Sequence, residues 1–253
     1  MPTRRRVITT GLTAVAGVSA LAAAARLADR FGLIPPDHGG IYGVGETLTY
    51  AAQRLLTMHH PLAREFSHSQ VSAVAPVNGE PPDNEVYQRL LSDRFAAWRL
   101  TIDGLVARPS SWSLAELRQL PSRSQITHQA CEEGWSFIAE WTGVQLAYLL
   151  SAAGVSTRAR FVVFYPFDFE NNFWDSLDMA DAWHPQTLIA YGMNGVKLPT
   201  RHGAPARLTV PRQLGYKSVK YLARISVVDD ITRVGNGLGS ASPDYGYSWY
   251  AGI

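Results

Sequence analysis

The one cysteine of this chain, Cys131, stands in the run Thr127-His128-Gln129-Ala130-Cys131-Glu132-Glu133-Gly134-Trp135. Three chemistries are open to a thiol there. It can be a small buried hydrophobe, as most free cysteines are. It can be a nucleophile with His128, His184 or His202 as its base. As a thiolate it can also ligate a metal. A count of one excludes an intrachain disulfide framework, and it excludes a zinc or iron–sulfur centre built from several thiolates. It leaves open a soft metal whose other ligands come from a cofactor.

A second segment could hold an anion. Asn194-Gly195-Val196-Lys197-Leu198-Pro199-Thr200-Arg201-His202-Gly203-Ala204-Pro205-Ala206-Arg207 leads through Leu208 to Pro211 into Gly215-Tyr216-Lys217-Ser218-Val219-Lys220. The basic side chains are 20 Arg against 3 Lys, and Lys217 and Lys220 both fall in this stretch. Arg grips a phosphate bidentately, Lys supplies a point charge, and backbone N–H groups at a turn complete a cradle. The plainer alternative is a solvated surface rich in Gly and Pro.

Taken together, these runs resemble the sulfite oxidase family. Cys131-Glu132-Glu133-Gly134-Trp135 followed by Trp141-Thr142-Gly143-Val144 is similar to that family's metal-ligand region. So are Ala190-Tyr191-Gly192-Met193-Asn194-Gly195, His202-Gly203-Ala204-Pro205-Ala206-Arg207 and Gly215-Tyr216-Lys217-Ser218-Val219-Lys220, in the same order. The resemblance starts at Trp98-Arg99-Leu100-Thr101-Ile102-Asp103-Gly104-Leu105-Val106 and runs to the C-terminus. Any one motif is weak; four in order are specific. The family includes sulfite oxidases and a periplasmic molybdoenzyme that reduces methionine sulfoxide.

The resemblance implies an enzyme of mixed α+β fold with one molybdenum–molybdopterin per chain, the pterin carrying no nucleotide. Cys131 is then the protein's single ligand to molybdenum, and the pterin dithiolene supplies two more sulfurs. His202 and Arg207 hold the pterin and its phosphate; Ser218, Val219 and Lys220 add donors. Asp168 and Asn78 fall where the family has pterin-contacting residues. Tyr245, in Asp244-Tyr245-Gly246-Tyr247, matches a phenol near the metal; the alternative is a surface aromatic cluster. Asn78 is flanked by Val77 and Gly79, with none of the cations that surround sulfite in sulfite oxidases. A small neutral S-oxide or N-oxide is therefore the expected partner in oxygen-atom transfer, with sulfite oxidation as the alternative. With no haem or cluster ligands of its own, the chain needs an external electron partner, a cytochrome or a membrane quinol-linked subunit. The rivals from other classes are a Cys–His hydrolase, which has no use for a phosphate loop, and a non-catalytic exported binding module.

Elements must bring these residues together. The chain has 253 residues, 46% apolar and 17% charged, enough for a sizeable core and too apolar for disorder. A net charge of +2 gives no support for nucleic-acid binding. Arg4-Arg5-Arg6-Val7-Ile8 and the apolar run to about Ala25 read as a twin-arginine export signal over residues 1–25. That makes the mature protein periplasmic; uncut, the run is long enough to span a bilayer as an anchor. Without residues 1–25 the balance is near neutral. Residues 26–95 read as an irregular wrap with a helix near 46–57, and 96–253 as the cofactor-binding domain.

Within that domain, Trp98–Ile102 alternates as a strand and Asp103-Gly104 turns. Ser113-Leu114-Ala115-Glu116 is a capping box for a helix ending before Pro121. A helix is expected from Thr142 to Ala153 with Gly154 as C-cap, and a buried strand over Phe161–Tyr165. Asn194-Gly195 suggests a hairpin. Val219, Tyr221, Ala223, Ile225 and Val227 alternate as the longest strand. There is no GxGxxG or Walker loop and no internal repeat. Short elements without βαβ rhythm argue for α+β.

Overall fold

The computed structural model describes residues 22–29, 32–38, 42–56, 62–168 and 173–253. The export signal lies, through residue 21, outside the described residues. No helix among the described residues is long and apolar enough to cross a membrane.

Two five-stranded sheets, with short helices, make an α+β fold. Before them stand α1 (Gly43–Leu56) and α2 (Glu85–Ser92). The first sheet runs β2 (Ser110–Ser113), β1 (Arg99–Gly104), β10 (Leu222–Val228), β5 (Phe161–Pro166), β6 (Asp175–Asp178). Its one parallel pair is β1 with β10, Thr101 opposite Arg224. The second runs β3 (Ser122–Ala130), β4 (Ser136–Gln145), β7 (Leu188–Met193), β8 (Val196–Lys197), with β9 (Arg207–Thr209) also on β7. Later in the chain come α3 (Leu114–Gln119), α4 (Leu146–Ala153), α5 (Met179–Ala182) and α6 (Ala241–Asp244), and residues 22–29 ahead of α1 are helical as well.

The main core holds residues of both sheets with α4. On α4, Leu146, Leu149, Leu150 and Ala153 are buried at helical spacing, and β7 is buried along its whole length. Trp98, Leu100 and Ile102 are buried in the same core; burying a Leu or Ile side chain stabilises by roughly 1.5–3 kcal/mol. The buried polar tips are answered. Trp98 Nε1 donates to the Leu222 carbonyl at 3.0 Å, and Tyr87 on α2 donates to the Ala204 carbonyl at 2.7 Å. The Tyr87 bond fixes α2 behind the loop that carries His202 and Arg207.

Several sequence expectations are met. α3 opens on the Ser113–Glu116 capping box, Gly154 caps α4 in the left-handed region, and Asn194-Gly195 turns β7 into β8 with both residues at positive φ. Residues 26–95 hold α2 as well as the helix expected near 46–57.

Asp103-Gly104, expected to turn, instead ends β1, paired with Ser226 and Val227 on β10. Two larger expectations are also corrected. Thr142–Val144 is strand, and the helix starts only at Leu146. Here β4 continues because it is paired on both sides, with Ser122 opposite Val144 on β3 and Gly143 opposite Ala190 on β7. Gly143 makes this possible: a Cβ there would lie 2.2 Å from the Ile189 carbonyl oxygen. The second correction concerns Val219–Val227. The strand starts at Leu222, because Tyr221 turns into the left-handed region at φ 56°. At ten residues, β4 is the longest strand.

Candidate cofactor site

Cys131 sits at the tip of the β3–β4 hairpin. Its N–H donates to the Trp135 carbonyl at 2.9 Å, and its carbonyl accepts from Gly134 N–H at 3.1 Å. The tip holds the thiol at the mouth of a cleft of ≈160 Å³. His202 comes from the turn Thr200–His202, and Arg207 from β9. Ser218, Val219 and Lys220 follow the turn Gly215–Lys217. Asn78 comes from the segment ahead of α2. All seven line this one cleft.

Two expected site residues do not line it. Asp168 lies beyond the end of β5. Tyr245 is 69% exposed, with its ring 5.2 Å from that of Phe173, which does line the cleft. Tyr245 is thus one ring removed. Of the candidate bases, His128 lies on β3 and buried His184 on another face, both outside the cleft lining.

The cleft has two electrostatic ends. At one end Arg207 is buried, yet its partners are neutral: the carbonyls of His202 and Ser218 at 3.0 Å and of Leu208 at 3.3 Å. Its guanidinium also lies 4.8 Å from the Trp141 ring centroid. Burial lowers its pKa to about 10, so it keeps its charge at neutral pH. Lys220 Nζ donates to the Asn78 carbonyl at 2.6 Å and the Arg201 carbonyl at 3.1 Å. Burial, then Arg207, lowers its pKa to about 7. His202 is lowered to about 4 by burial and by Arg207, Lys220 and Arg201, so it is neutral at pH 7. At the rim, Arg201 pairs with Glu80 at 2.6 Å. Two cations held by backbone carbonyls rather than by carboxylates make a place for an anion.

At the other end the thiol faces acids. Cys131 S–H donates to Glu132 at 3.2 Å and lies 3.9 Å from Glu133. Burial pushes its pKa up to about 12, and the Glu132 carboxylate adds to this. Neither hydrogen-bond partner is a histidine. A catalytic Cys nucleophile needs the reverse, a lowered pKa beside a base. A thiolate at this position calls for a strongly bound cation, and a metal ion holds a coordinating thiol deprotonated.

Backbone shape brings the two cation-bearing segments together at the cationic end. Gly203 has φ 108°, and a Cβ there would lie 2.9 Å from Lys220 Cβ and 3.2 Å from Arg207 Cβ. Only glycine lets the two cation-bearing segments close on each other. The residues present therefore fit a cofactor that brings a soft metal to Cys131 and an anionic tail to Arg207 and Lys220.

The structure adds residues that the motifs did not single out. Trp135 and Phe137 stack at 6.1 Å along one wall. Tyr216 donates to the Ser248 carbonyl at 2.7 Å, and Glu132 lies beside the thiol. Glu132, Trp135 and Tyr216 lie inside the motifs, but nothing in the sequence assigned them a role of their own.

Comparison with known proteins agrees with this geometry. Residues 88–233 match the oxidoreductase molybdopterin-binding domain family. A protein of Azospira oryzae named as a protein-methionine-sulfoxide reductase subunit, YedZ1, is 35% identical over 191 residues, 76% of this chain and 68% of that protein. The catalytic subunit MsrP of Xanthomonas campestris, a protein-methionine-sulfoxide reductase, is 33% identical over 54% of this chain and 46% of its own length. Among solved structures, the sulfane dehydrogenase SoxCD of Paracoccus pantotrophus is similar at a TM-score of 0.51 and 27% identity. That similarity covers 53% of this chain and 39% of SoxCD.

Proposed function

The chain belongs to the oxidoreductase molybdopterin-binding family, the sulfite oxidase family, and from that premise we propose an oxygen-atom transferase acting on an S-oxide or N-oxide. One observation carries the reading. The thiol of Cys131 and the carbonyl-held cations Arg207 and Lys220, distant in sequence, line a single cleft.

In this reading one molybdenum–molybdopterin is bound per chain. Cys131 ligates the metal. Arg207 and Lys220 take the phosphate, with the Ser218 hydroxyl and the Val219 backbone beside them. His202, neutral at pH 7, offers a donor and an acceptor to the pterin. The bound group supplies a two-electron couple and the site of oxygen exchange. The chain's own work is to orient that group and to select the substrate. Trp135, Phe173 and Tyr216 give the cleft apolar walls. Glu132 puts a negative charge beside Cys131, where a dianion such as sulfite would be repelled. The names of the methionine-sulfoxide reductase relatives support an S-oxide over the alternative of sulfite.

The enzyme is further proposed to be exported folded through its twin-arginine signal to the periplasm, with the leader as an anchor if uncut. Electrons come from an external partner.

The test uses protein expressed in a molybdopterin-competent host and assayed with an artificial electron donor. Near-unit molybdenum and turnover of methyl sulfoxides are expected, and Cys131→Ser abolishes turnover while leaving the melting transition in place. Absence of molybdenum, or activity unchanged in Cys131→Ser, overturns the reading. Efficient sulfite oxidation with no S-oxide or N-oxide reduction reassigns the substrate.

A further inference from the structure

Helix α1 is amphipathic in the reverse of the usual sense. A surface helix of a soluble domain turns apolar residues inward and charges outward. On α1 the residues that face the domain are Glu46, Tyr50, Gln53 and Arg54. Arg54 pairs with the largely buried Asp178 at 2.8 Å, and Tyr50 is 4% exposed against Trp249 and Tyr250. Glu46 turns both carboxylate oxygens inward, where they are buried. The outward face is Val44, Leu48, Ala52, Leu55 and Leu56, with Gly45 and Thr49 between them. Val44 is 74% exposed, Leu48 65%, Leu55 55% and Leu56 82%. No charged residue lies on this face. A domain that met only water at α1 would carry charges there.

We propose that this face of α1 is a membrane-docking surface, laid into the headgroup boundary of a lipid bilayer. Three observations favour lipid over a protein. The stripe is convex and purely aliphatic, with no hydrogen-bonding group beyond Thr49 to orient a specific partner. Its extent is that of one helical row, a few hundred Å², short of the ~800 Å² per partner that a stable dimer needs. Upstream in the sequence, the apolar run that ends near Ala25 stops only 18 residues before Val44. At no more than ~3.6 Å per residue this link spans at most about 70 Å, so a bilayer that holds the run lies within reach of α1. An interfacial helix needs an apolar face to insert and a polar face turned elsewhere; here the polar face is locked onto the domain by Arg54 and Tyr50. The inference does not depend on the chemistry in the cleft.

The test compares the full chain with a Val44→Ser, Leu48→Gln, Leu55→Gln variant on vesicles of phosphatidylethanolamine and phosphatidylglycerol. Both proteins keep the leader, so its contribution cancels. The lipid concentration for half-binding is expected to rise about tenfold or more in the variant at an unchanged melting temperature. Vesicles are expected to slow hydrogen exchange over residues 43–56 in the parent chain. Equal half-binding concentrations, or no vesicle-dependent slowing, overturns the proposal. So does a parent chain that dimerises through α1 without touching vesicles. If the triple variant does not fold, the exchange measurement on the parent chain decides alone.

Discussion

Gly203 shows what a single residue contributes to the cationic end of the cleft. Its φ of 108° is closed to most side chains, and its hydrogen faces Lys220 Cβ where a methyl would stand at 2.9 Å. Gly203→Ala therefore adds backbone strain of about 1–3 kcal/mol and pushes Lys220 away from Arg207. A lower denaturant midpoint and a lower molybdenum content are expected; an unchanged pair of values would show that the close approach is dispensable. Residue types were largely legible in the sequence at this scale. Cys131 was visible because it is alone, and Arg207 and Lys220 because they stand among Gly and Pro. Direction was not legible. Lys217 and Lys220 lie three residues apart in one loop; spacing alone did not tell which enters the cleft, and only the family resemblance singled out Lys220. Lys220 enters the cleft, while Lys217 is fully buried on the other side of the loop. Asp168 and Tyr245 show the converse, since short-range order in the chain does not fix which way a loop side chain points.

The loop Gly215–Lys220 is held in place as an element from its buried side. Lys217 Nζ donates to Asp175 at the start of β6 and to the Trp249 carbonyl at 2.7 Å, and both members of the ion pair are fully buried. Asp175 also accepts from the Ser176 N–H at 2.6 Å and the Ser242 hydroxyl at 3.2 Å. One pair thus ties the loop, the first sheet and the C-terminal tail together. Lys217→Met strands a buried carboxylate and should cost about 3–5 kcal/mol. Lys217→Met with Asp175→Leu should recover much of that loss, measured as denaturant midpoints. If the single and double variants fall equally, the pair is not what holds the loop. Strand and helix were legible where a cap or turn marks them, as at Ser113, Gly154 and Asn194-Gly195. They were misread where tertiary pairing overrides local pattern. Thr142–Val144 has the look of a helix start, yet β3 and β7 claim its backbone on both edges.

At the scale of the whole molecule, two bases of the cleft make the stability of cofactor-free protein depend on pH with a fixed sign. His202 falls from 6.5 to about 4 and Lys220 from 10.5 to about 7, burial being the largest cause for each. Between about pH 4 and 6.5 the unfolded chain protonates His202 and the folded chain does not. Between about pH 7 and 10.5 the same holds for Lys220. In both windows the unfolded state binds more protons, so the stability of cofactor-free protein rises with pH. A bound phosphate reverses the preference at Lys220, because it favours the ammonium. Above about pH 7 the cofactor must then bring Lys220 a proton, and its affinity falls by up to about tenfold per pH unit. The melting temperature of cofactor-free protein should therefore climb from pH 5 to 9, while the extra stability given by the cofactor is greatest below pH 7 and shrinks above it. Lys220→Met should flatten the limb above pH 7 in cofactor-free protein, make the cofactor's gain independent of pH there, and leave the acid limb, which belongs to His202, in place. A cofactor-dependent gain in melting temperature that stays constant from pH 6 to 9 in the parent chain would show that Lys220 does not meet the anion.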